Sequence, residues 1–356
     1  MKPNIQPRPN FQKFLDTLLL RKAWKRPPLF DFWVGENHAA AFLGHQPLTG
    51  ADWVEVYRLA GYDYVHLSVY PPHPELDEAK QKDRATGAVS YSSASVVIPS
   101  LEHFRSRNWS WQSVAQGDLS QMKADYTKLL EAAANLKPGM KIILNAADIF
   151  TDAWMMLGFE NFCIYSYEQP EFVRAVMDSI GAAQLKALQG GIDLVGDSIG
   201  AILFSDDIAY TEGLMLRPKF FVDNLFPYIH QIARMGQKIG APLIYHSDGQ
   251  LYKVFDALYE AGVRGIQPLE PKSMDPLEIK RRWPGKFCLI GNIDLDLMAR
   301  GSADEVEAHV RDKIDRLNID GGYIVGVSNT VPDYVKTENY IRMIETVYSY
   351  PDEKKD

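Results

Sequence analysis

The stretch PLIYHSDG (residues 242–249) shows the pattern on which the fold depends. A run of apolar, β-forming residues ends in polar residues and a glycine, and a segment with helical spacing, residues 250–261, follows it. Strands that are apolar on both faces are typical of parallel sheets, whose consecutive strands need a crossover connection such as a helix. The stretch therefore predicts one β/α unit of a parallel sheet.

The same unit recurs along the chain. Eight apolar runs end in a polar or glycine stop, at residues 28–37, 62–70, 141–150, 201–209, 242–249, 264–271, 287–294 and 322–329. Helical segments are predicted between most of them, at residues 119–136, 169–190, 217–239, 250–261, 302–317 and 335–349. Eight β/α units close a (β/α)8 barrel, the TIM barrel, whereas an open dinucleotide-binding sheet would begin with a G-x-G-x-x-G turn that is missing after the first run. We predict an α/β chain that forms a single TIM barrel domain over residues 1–356.

One segment interrupts this rhythm. Residues 71–118 separate the second predicted strand from the helix that should follow it. A loop of this length in a compact domain is usually a lid or a binding element with some structure of its own. We therefore predict an insertion near the barrel mouth, with a purely decorative surface loop as the alternative.

Composition limits the partners of the chain. It has 38 Lys and Arg against 46 Asp and Glu, a net charge of −8, and no long block of one sign, which argues against nucleic acid and for a small-molecule or protein partner. The two cysteines, Cys163 and Cys288, form no C-x-x-C motif, so neither a disulfide framework nor a thiolate cluster is indicated. No run approaches the roughly 18 apolar residues of a membrane span, and the N-terminus lacks the apolar core of a signal peptide. We expect a cytoplasmic protein without a membrane partner.

Polar residues at the strand ends are the candidates for a site, because barrel enzymes build their sites at the C-terminal ends of the strands. His246 and Asp248 are two positions apart and should project from the same face, and Glu270 ends the next predicted strand. One imidazole and two carboxylates suit zinc, with a coordination position left for water or substrate. An acid/base pair, or polar strand ends that only meet water, are the two alternatives.

Other strand-end residues are weaker candidates. Asp206 and Asp207 should point to opposite faces, so at most one is catalytic and the other anchors a helix N-terminus or loop amides. The further candidate catalytic residues are Glu36 and Asn145. The candidate substrate-binding residues are Trp33, Tyr245, Ser328 and Asn329.

The C-terminal part of the chain, roughly residues 190–349, resembles the uroporphyrinogen decarboxylase superfamily. The resemblance lies in the stretches DDIAYTEGLMLRPKFFVDNLFPYIHQIARMGQKIGAPLIYHSDGQ, LYEAGVRGIQPLEPKSMD, LIGNIDLDLMARGSADEVEAHV and GGYIVGVSNTVPDYVKTENYIRMIE. It implies a (β/α)8 barrel, in agreement with the strand count. It also implies one of two activities, porphyrinogen decarboxylation or zinc-dependent methyl transfer linked to a corrinoid protein.

Departures from the family pattern favour the second activity. The porphyrinogen decarboxylases carry an R-Q-A-G-R-Y segment near the N-terminus and an aspartate just after the second strand. The corresponding segments here, RPPLFDFWVGENHA and YDYVHLSVYPP, contain neither the arginine pair nor that acid, and the late histidine of the family falls at Asn329. The chain is therefore more similar to the corrinoid-linked methyltransferases.

The resemblance also implies a ligand set. In the methyltransferase branch zinc is held by a His-x-Cys pair, a later cysteine and, in some states, a glutamate. His246 matches the histidine, Asp248 stands at the first cysteine and Glu270 matches the glutamate, while the later cysteine region reads VSN. The resemblance thus implies zinc in a site without thiolates, and a corrinoid carried by a partner protein.

The expected function is methyl transfer between a small substrate and that corrinoid protein. The alternatives are a decarboxylase or other lyase that acts on a carboxylated substrate, and an inactive barrel that binds a tetrapyrrole or corrinoid.

Overall fold

The structure is a computed structural model, and it describes residues 1–77, 80–82, 89–91 and 96–355. Within these residues the strands are β1 (Tyr64–Ser68), β2 (Lys80–Lys82), β3 (Val89–Tyr91), β4 (Lys141–Ala147), β5 (Ile199–Ser205), β6 (Ala209–Tyr210), β7 (Gly213–Leu214), β8 (Leu243–His246), β9 (Val263–Leu269), β10 (Cys288–Ile293) and β11 (Tyr323–Val327).

The α-helices of the described residues are α1 (Phe11–Leu18), α2 (Glu36–Leu43), α3 (Gly50–Leu59), α4 (Pro74–Asp77), α5 (Leu101–Ser106), α6 (Ser110–Ala115), α7 (Lys123–Asn135), α8 (Phe150–Leu157), α9 (Phe159–Glu168), α10 (Pro170–Val195), α11 (Pro218–Asn224), α12 (Phe226–Lys238), α13 (Phe255–Glu260), α14 (Pro276–Arg282), α15 (Leu295–Arg300), α16 (Ala303–Leu317) and α17 (Thr337–Tyr348). Each predicted helical segment overlaps at least one of them, and α10 runs beyond its predicted segment, 169–190, to Val195. None of the helices in the described part of the chain has the length and apolar character that a membrane crossing needs.

A seven-stranded parallel sheet forms the centre of the fold. Its strand order is β1-β4-β5-β8-β9-β10-β11, and every neighbouring pair is parallel. At least one helix lies between consecutive strands of this sheet in the chain, as parallel connections require. All residues of β5 and β10 are buried, which explains why these runs are apolar on both faces. The predicted α/β fold on a parallel sheet is confirmed, with seven regular strands instead of eight.

The first apolar run lies beside the sheet without forming a regular strand. It makes two isolated parallel bridges, Leu29 to Val325 and Val34 to Val331. Towards β11, the Phe30 amide donates to the Val325 carbonyl at 2.8 Å. Farther along β11, the backbone amide of Val327 donates to the carboxylate of Asp31 at 2.8 Å, in place of a main-chain carbonyl. Because the carboxylate takes the place of a main-chain acceptor, the hydrogen-bond ladder is interrupted here. The predicted eighth strand therefore forms only isolated bridges.

Asp31 is fully buried between this segment and the sheet. Its carboxylate accepts hydrogen bonds from the Val327 amide and the Tyr62 hydroxyl. Burial raises the pKa of Asp31 to about 7, and the two hydrogen bonds offset this effect only in part. The ionised form is therefore disfavoured in the folded protein.

Replacing Asp31 with asparagine should flatten the pH dependence of stability. The pKa is raised from 3.8 to about 7, so the folded state holds a proton that the unfolded state has lost, and the free energy of unfolding falls as pH rises through this window. The difference corresponds to about 4 kcal/mol at most. Asparagine keeps an acceptor for the Val327 amide and carries no charge, so urea denaturation of Asp31→Asn between pH 4.5 and 7.5 should show a smaller slope. An unchanged slope would assign the pH dependence to other groups.

The described parts of the predicted insertion pack against two helices. The amides of Val97 and Ile98 both donate to the Met156 carbonyl of α8, at 2.8 and 2.9 Å. The Trp111 indole nitrogen donates to the Ser179 hydroxyl of α10 at 2.9 Å. Residues 78–79, 83–88 and 92–95 fall outside the described residues. The placement of the whole segment 71–118 near the mouth therefore stays a prediction.

The N-terminal end of the sheet is covered by α1. The ring of Phe14 packs against Phe30 and Tyr64, with ring centroids 6.3 and 5.6 Å away. A cavity of about 510 Å³ lies at this end, lined among others by Phe11, Lys141 and Asp197. It is remote from the strand ends that carry the candidate residues, since Lys141 begins β4.

Candidate functional site

Three groups of metal-ligand type converge at the C-terminal ends of β5 and β8. The ligand atoms of Asp207, His246 and Asp248 all lie within 4.8 Å of one another. His246 Nε2 is 3.9 Å from Asp207 Oδ1 and 4.0 Å from Asp248 Oδ1. The Asp248 amide also donates to Asp207 Oδ1 at 2.8 Å, which ties the two loops together. We call these three residues the acidic triad.

The imidazole of His246 is oriented by Gln267 on the neighbouring strand. The two residues are in register between β8 and β9, and His246 Nδ1 contacts Gln267 Oε1. Gln267 Nε2 donates to the Asn329 carbonyl at 3.0 Å, which fixes the amide orientation because a carbonyl can only accept. Nδ1 of His246 must then carry a proton, and Nε2 is the ring nitrogen that faces the carboxylates. An imidazole held in this way is the form that binds a metal.

The carboxylate of Asp248 is held by Asn329. The Asn329 amide nitrogen lies 2.9 and 2.7 Å from the two Asp248 oxygens. Burial first, and then the carboxylates of Asp207 and Glu270, raise the pKa of Asp248 to about 8. Among the described residues, no lysine or arginine forms an ion pair with the carboxylates of Asp207, Asp248 and Glu270. A cation at the triad would relieve their mutual repulsion.

Glu270, the predicted third ligand, lies outside the group of atoms that converge. Its Oε2 accepts from the Gly249 amide at 2.7 Å and from the Ser273 hydroxyl at 3.0 Å. It therefore fixes the loop that follows β8. The structure brings His246 and Asp248 together as predicted, but Asp207 takes the third position.

Asp206 and Asp207 have separate tasks. Asp206 is buried and accepts hydrogen bonds from the amides of Ile149, Phe150 and Thr151 at 2.8, 2.7 and 2.9 Å. These are the unpaired amides at the start of α8. Burial raises the pKa of Asp206 to about 6 against the effect of these bonds. Asp206 is thus the helix anchor, and Asp207 is the member of the pair that faces the site.

The other two predicted catalytic residues differ in position. Asn145 is buried on β4, where its amide nitrogen contacts the Ser68 hydroxyl and its oxygen accepts from the Ser205 hydroxyl, both at 3.3 Å. It links the ends of β1, β4 and β5. Glu36 is exposed at the first position of α2. Neither residue belongs to the acidic triad.

The four predicted substrate-binding residues also differ in their position relative to the triad. Asn329 contacts the triad directly, and Trp33 is 40% exposed. Tyr245 precedes His246 on the strand, so it points to the opposite face, and its hydroxyl donates to the Asp206 carbonyl at 2.8 Å. Ser328 accepts from the Leu295 amide at 3.2 Å and stands next to Asn329. Tyr245 and Ser328 thus support the loops instead of lining the triad.

Gln267, Phe32 and His66 lie close to the triad without having been singled out from the sequence. The Phe32 ring centroid is 4.5 Å from that of His246 and 5.0 Å from that of His66. The available signal was a polar residue inside a largely apolar strand, as at His66 in YVHLS and Gln267 in VRGIQPL.

A parallel sheet with helical crossovers places the chain in the α/β class, and its strand ends gather ligand-type side chains, where proteins of this class build their sites. The family model for uroporphyrinogen decarboxylase (URO-D) matches residues 106–350. The chain belongs to the URO-D family.

Two solved structures are similar to the chain. A methyltransferase from Methanosarcina mazei is 15% identical, with a TM-score of 0.72, and the match covers 96% of this chain and 98% of that one. The IOLI protein, in a structure with a binding zinc atom, is 9% identical with a TM-score of 0.39, and the match covers 90% of this chain and 99% of that one. No curated protein matches the chain in sequence. The first likeness shows a shared fold.

Proposed function

We propose that the chain is a cytoplasmic methyltransferase component of the URO-D family, which moves a methyl group between a small substrate and a corrinoid carried by a partner protein. The observation that carries this proposal is the acidic triad, whose His246 stands where the resemblance to the methyltransferase branch places a metal-binding histidine. We further propose that residues 28–37 close the parallel sheet into a barrel around this site.

The residues of the triad fit a divalent metal, with zinc the best match. One imidazole nitrogen and two carboxylate oxygens are common zinc ligands. Tetrahedral zinc with bonds of 2.0–2.2 Å separates its ligand atoms by about 3.3–3.6 Å. The separations of 3.9 and 4.0 Å from His246 Nε2 would therefore close by roughly half an ångström.

The residues around the triad prepare it for this role. Gln267 accepts from His246 Nδ1 and so leaves Nε2 as the nitrogen that can bind a metal, and Asn329 holds the Asp248 carboxylate in place. Asp207 and Asp248 are half-buried, so a substrate can approach them from the mouth. The bound metal would act as a Lewis acid on a substrate heteroatom. Because both carboxylates are hard donors, we expect an oxygen substrate, such as an alcohol or methyl ether, in preference to a thiol.

A second candidate function is favoured by the protonation of Asp248. With a pKa of about 8, this carboxyl holds a proton at neutral pH. A protonated carboxyl beside an imidazole could protonate the carbanion that remains after a small carboxylated substrate loses CO2. The decarboxylase alternative thus uses the same residues without a metal.

One experiment separates the two functions. Zinc content is measured in the purified protein, which is then incubated with methylcobalamin and a panel of small alcohols and thiols. Methyl transfer to an acceptor converts methylcobalamin to cob(I)alamin, releases the acceptor's proton and changes the visible spectrum. Stoichiometric zinc and a spectral change that Asp207→Asn abolishes would support the methyltransferase. Zinc-free protein that releases CO2 from a carboxylated substrate would support the decarboxylase.

Metal affinity should rise with pH. Asp248 has a pKa of about 8 and must lose its proton before it can bind a metal. The apparent affinity for Zn²⁺ should therefore increase about tenfold per pH unit between pH 6 and 8 and level off above that range. Chelator competition at several pH values measures this, and calorimetry in buffers of different ionisation enthalpy counts the proton released. A flat profile between pH 7 and 8 would contradict the assignment of Asp248 as a ligand.

A further inference from the structure

His66 is a half-buried histidine on β1 whose Nε2 atom is itself buried and has no hydrogen-bond partner among the described residues. Its ring packs edge-on against Phe32, with centroids 5.0 Å apart, and the ring of His246 is 4.5 Å from that of Phe32. Phe32 therefore contacts both imidazoles.

An unpaired imidazole nitrogen is an unfavourable choice for packing alone. A buried polar atom that has lost water without gaining a partner destabilises the folded state, and most buried polar atoms in proteins are paired. His246 shows the contrast, because its Nδ1 is paired with Gln267 and its Nε2 faces two carboxylates. An apolar residue at position 66 would pack against Phe32 without this cost.

The charge state of His66 restricts what it can bind. Burial, and to a smaller extent the nearby His246, lower the pKa of His66 to about 3, so the ring is neutral. A neutral imidazole nitrogen either donates or accepts one hydrogen bond, depending on the tautomer. A hydroxyl group can pair with both forms, whereas the carboxylates of the triad disfavour an anionic ligand.

We propose that His66 is a substrate-binding residue, which uses Nε2 to hold a hydroxyl group of a small neutral molecule lying against Phe32. This inference rests on the proposed function in that it places the substrate inside the same barrel. It adds a contact on β1, beside the Phe32 ring, and it names a neutral hydroxylated molecule as the ligand class.

The test is nitrogen NMR of the full chain labelled with ¹⁵N-histidine, without and with Zn²⁺. The probe is 1-butanol, and 1-chlorobutane of the same length is the control without a hydroxyl. We expect a saturable shift of the His66 Nε2 resonance with 1-butanol only, and no shift of the exposed His230, which serves as the internal reference. The resonance is assigned by its loss in His66→Phe.

The variant supplies a second measurement. His66→Phe should keep or raise the melting temperature, since it removes an unpaired buried nitrogen, and His66→Gln, which retains a donor and an acceptor, should restore binding of 1-butanol. Absence of a saturable shift, or a lower melting temperature of His66→Phe with no loss of binding, would overturn the proposal in favour of a packing role. Because the shift is read in metal-free protein as well, failure of the zinc site would leave this result unaffected.

Discussion

Replacing Asp248 with alanine should weaken Zn²⁺ binding at pH 8 by more than about 100-fold, which exceeds the 10- to 100-fold that loss of an outer partner of a metal ligand usually costs. The reason is that, among the described residues, Asp248 supplies one of the three ligand atoms that converge at the site. Its oxygen is 4.0 Å from His246 Nε2 and is already oriented by Asn329. Competition with a chromophoric chelator measures the effect.

The matched controls are Asp207→Asn and Glu270→Gln. Asp207→Asn should reduce affinity as strongly as Asp248→Ala, because Asp207 is the third member of the triad. Glu270→Gln should reduce it by less than about tenfold, since Glu270 holds the Gly249 amide and Ser273 and so lies one step further from the metal than an outer partner that contacts a ligand. Equal losses in Glu270→Gln and Asp248→Ala would restore Glu270 as the ligand that the sequence predicts.

The difference between Asp207 and Glu270 shows which contacts of the site can be predicted from spacing in the sequence and which cannot. His246 and Asp248 can be paired from the sequence because both lie on one strand end. The third residue depends on the register between strands, and here Ser205 of β5 pairs with His246 of β8. That register carries Asp207, two residues beyond Ser205, to the level of Asp248. Neighbouring strands can slide by one residue without any change in the pattern of apolar runs, so the sequence did not show that Asp207, instead of the predicted Glu270, lies beside His246.

Alternation along a strand explains other outcomes. It separates Asp206 from Asp207 in the way the sequence predicts, with one side chain on the helix α8 and the other at the site. The same rule argues against Tyr245 as a substrate-binding residue. Tyr245 neighbours His246 on the strand and points to the opposite face, where its hydroxyl donates to the Asp206 carbonyl. Alternation could not predict that the first strand is incomplete. The hydrogen-bond ladder of that strand is interrupted by a side chain, where the Asp31 carboxylate accepts from the Val327 amide.

Replacing Asp206 with alanine should lower the free energy of unfolding by about 3 kcal/mol, because it leaves buried amides without an acceptor. Three consecutive amides and the Thr151 hydroxyl donate to the Asp206 carboxylate, at 2.7 to 2.9 Å. Loss of a single helix cap typically costs about 1 kcal/mol, and this carboxylate serves several donors at once in a buried setting. Urea denaturation followed by circular dichroism measures the change.

The adjacent residue provides the control, since Asp207→Ala removes the same type of side chain from the neighbouring position. Asp207 is half-buried and lies beside Asp248, so its removal relieves repulsion between two carboxylates. Because this relief offsets the loss of the hydrogen bond from the Asp248 amide, the free energy of unfolding should change by less than about 0.5 kcal/mol. Metal binding should show the reverse order, with Asp207→Ala losing affinity and Asp206→Ala, in protein that remains folded, retaining most of it. If Asp207→Ala destabilises the protein as much as Asp206→Ala does, the two aspartates form one structural unit, and the division between helix anchor and metal ligand is wrong.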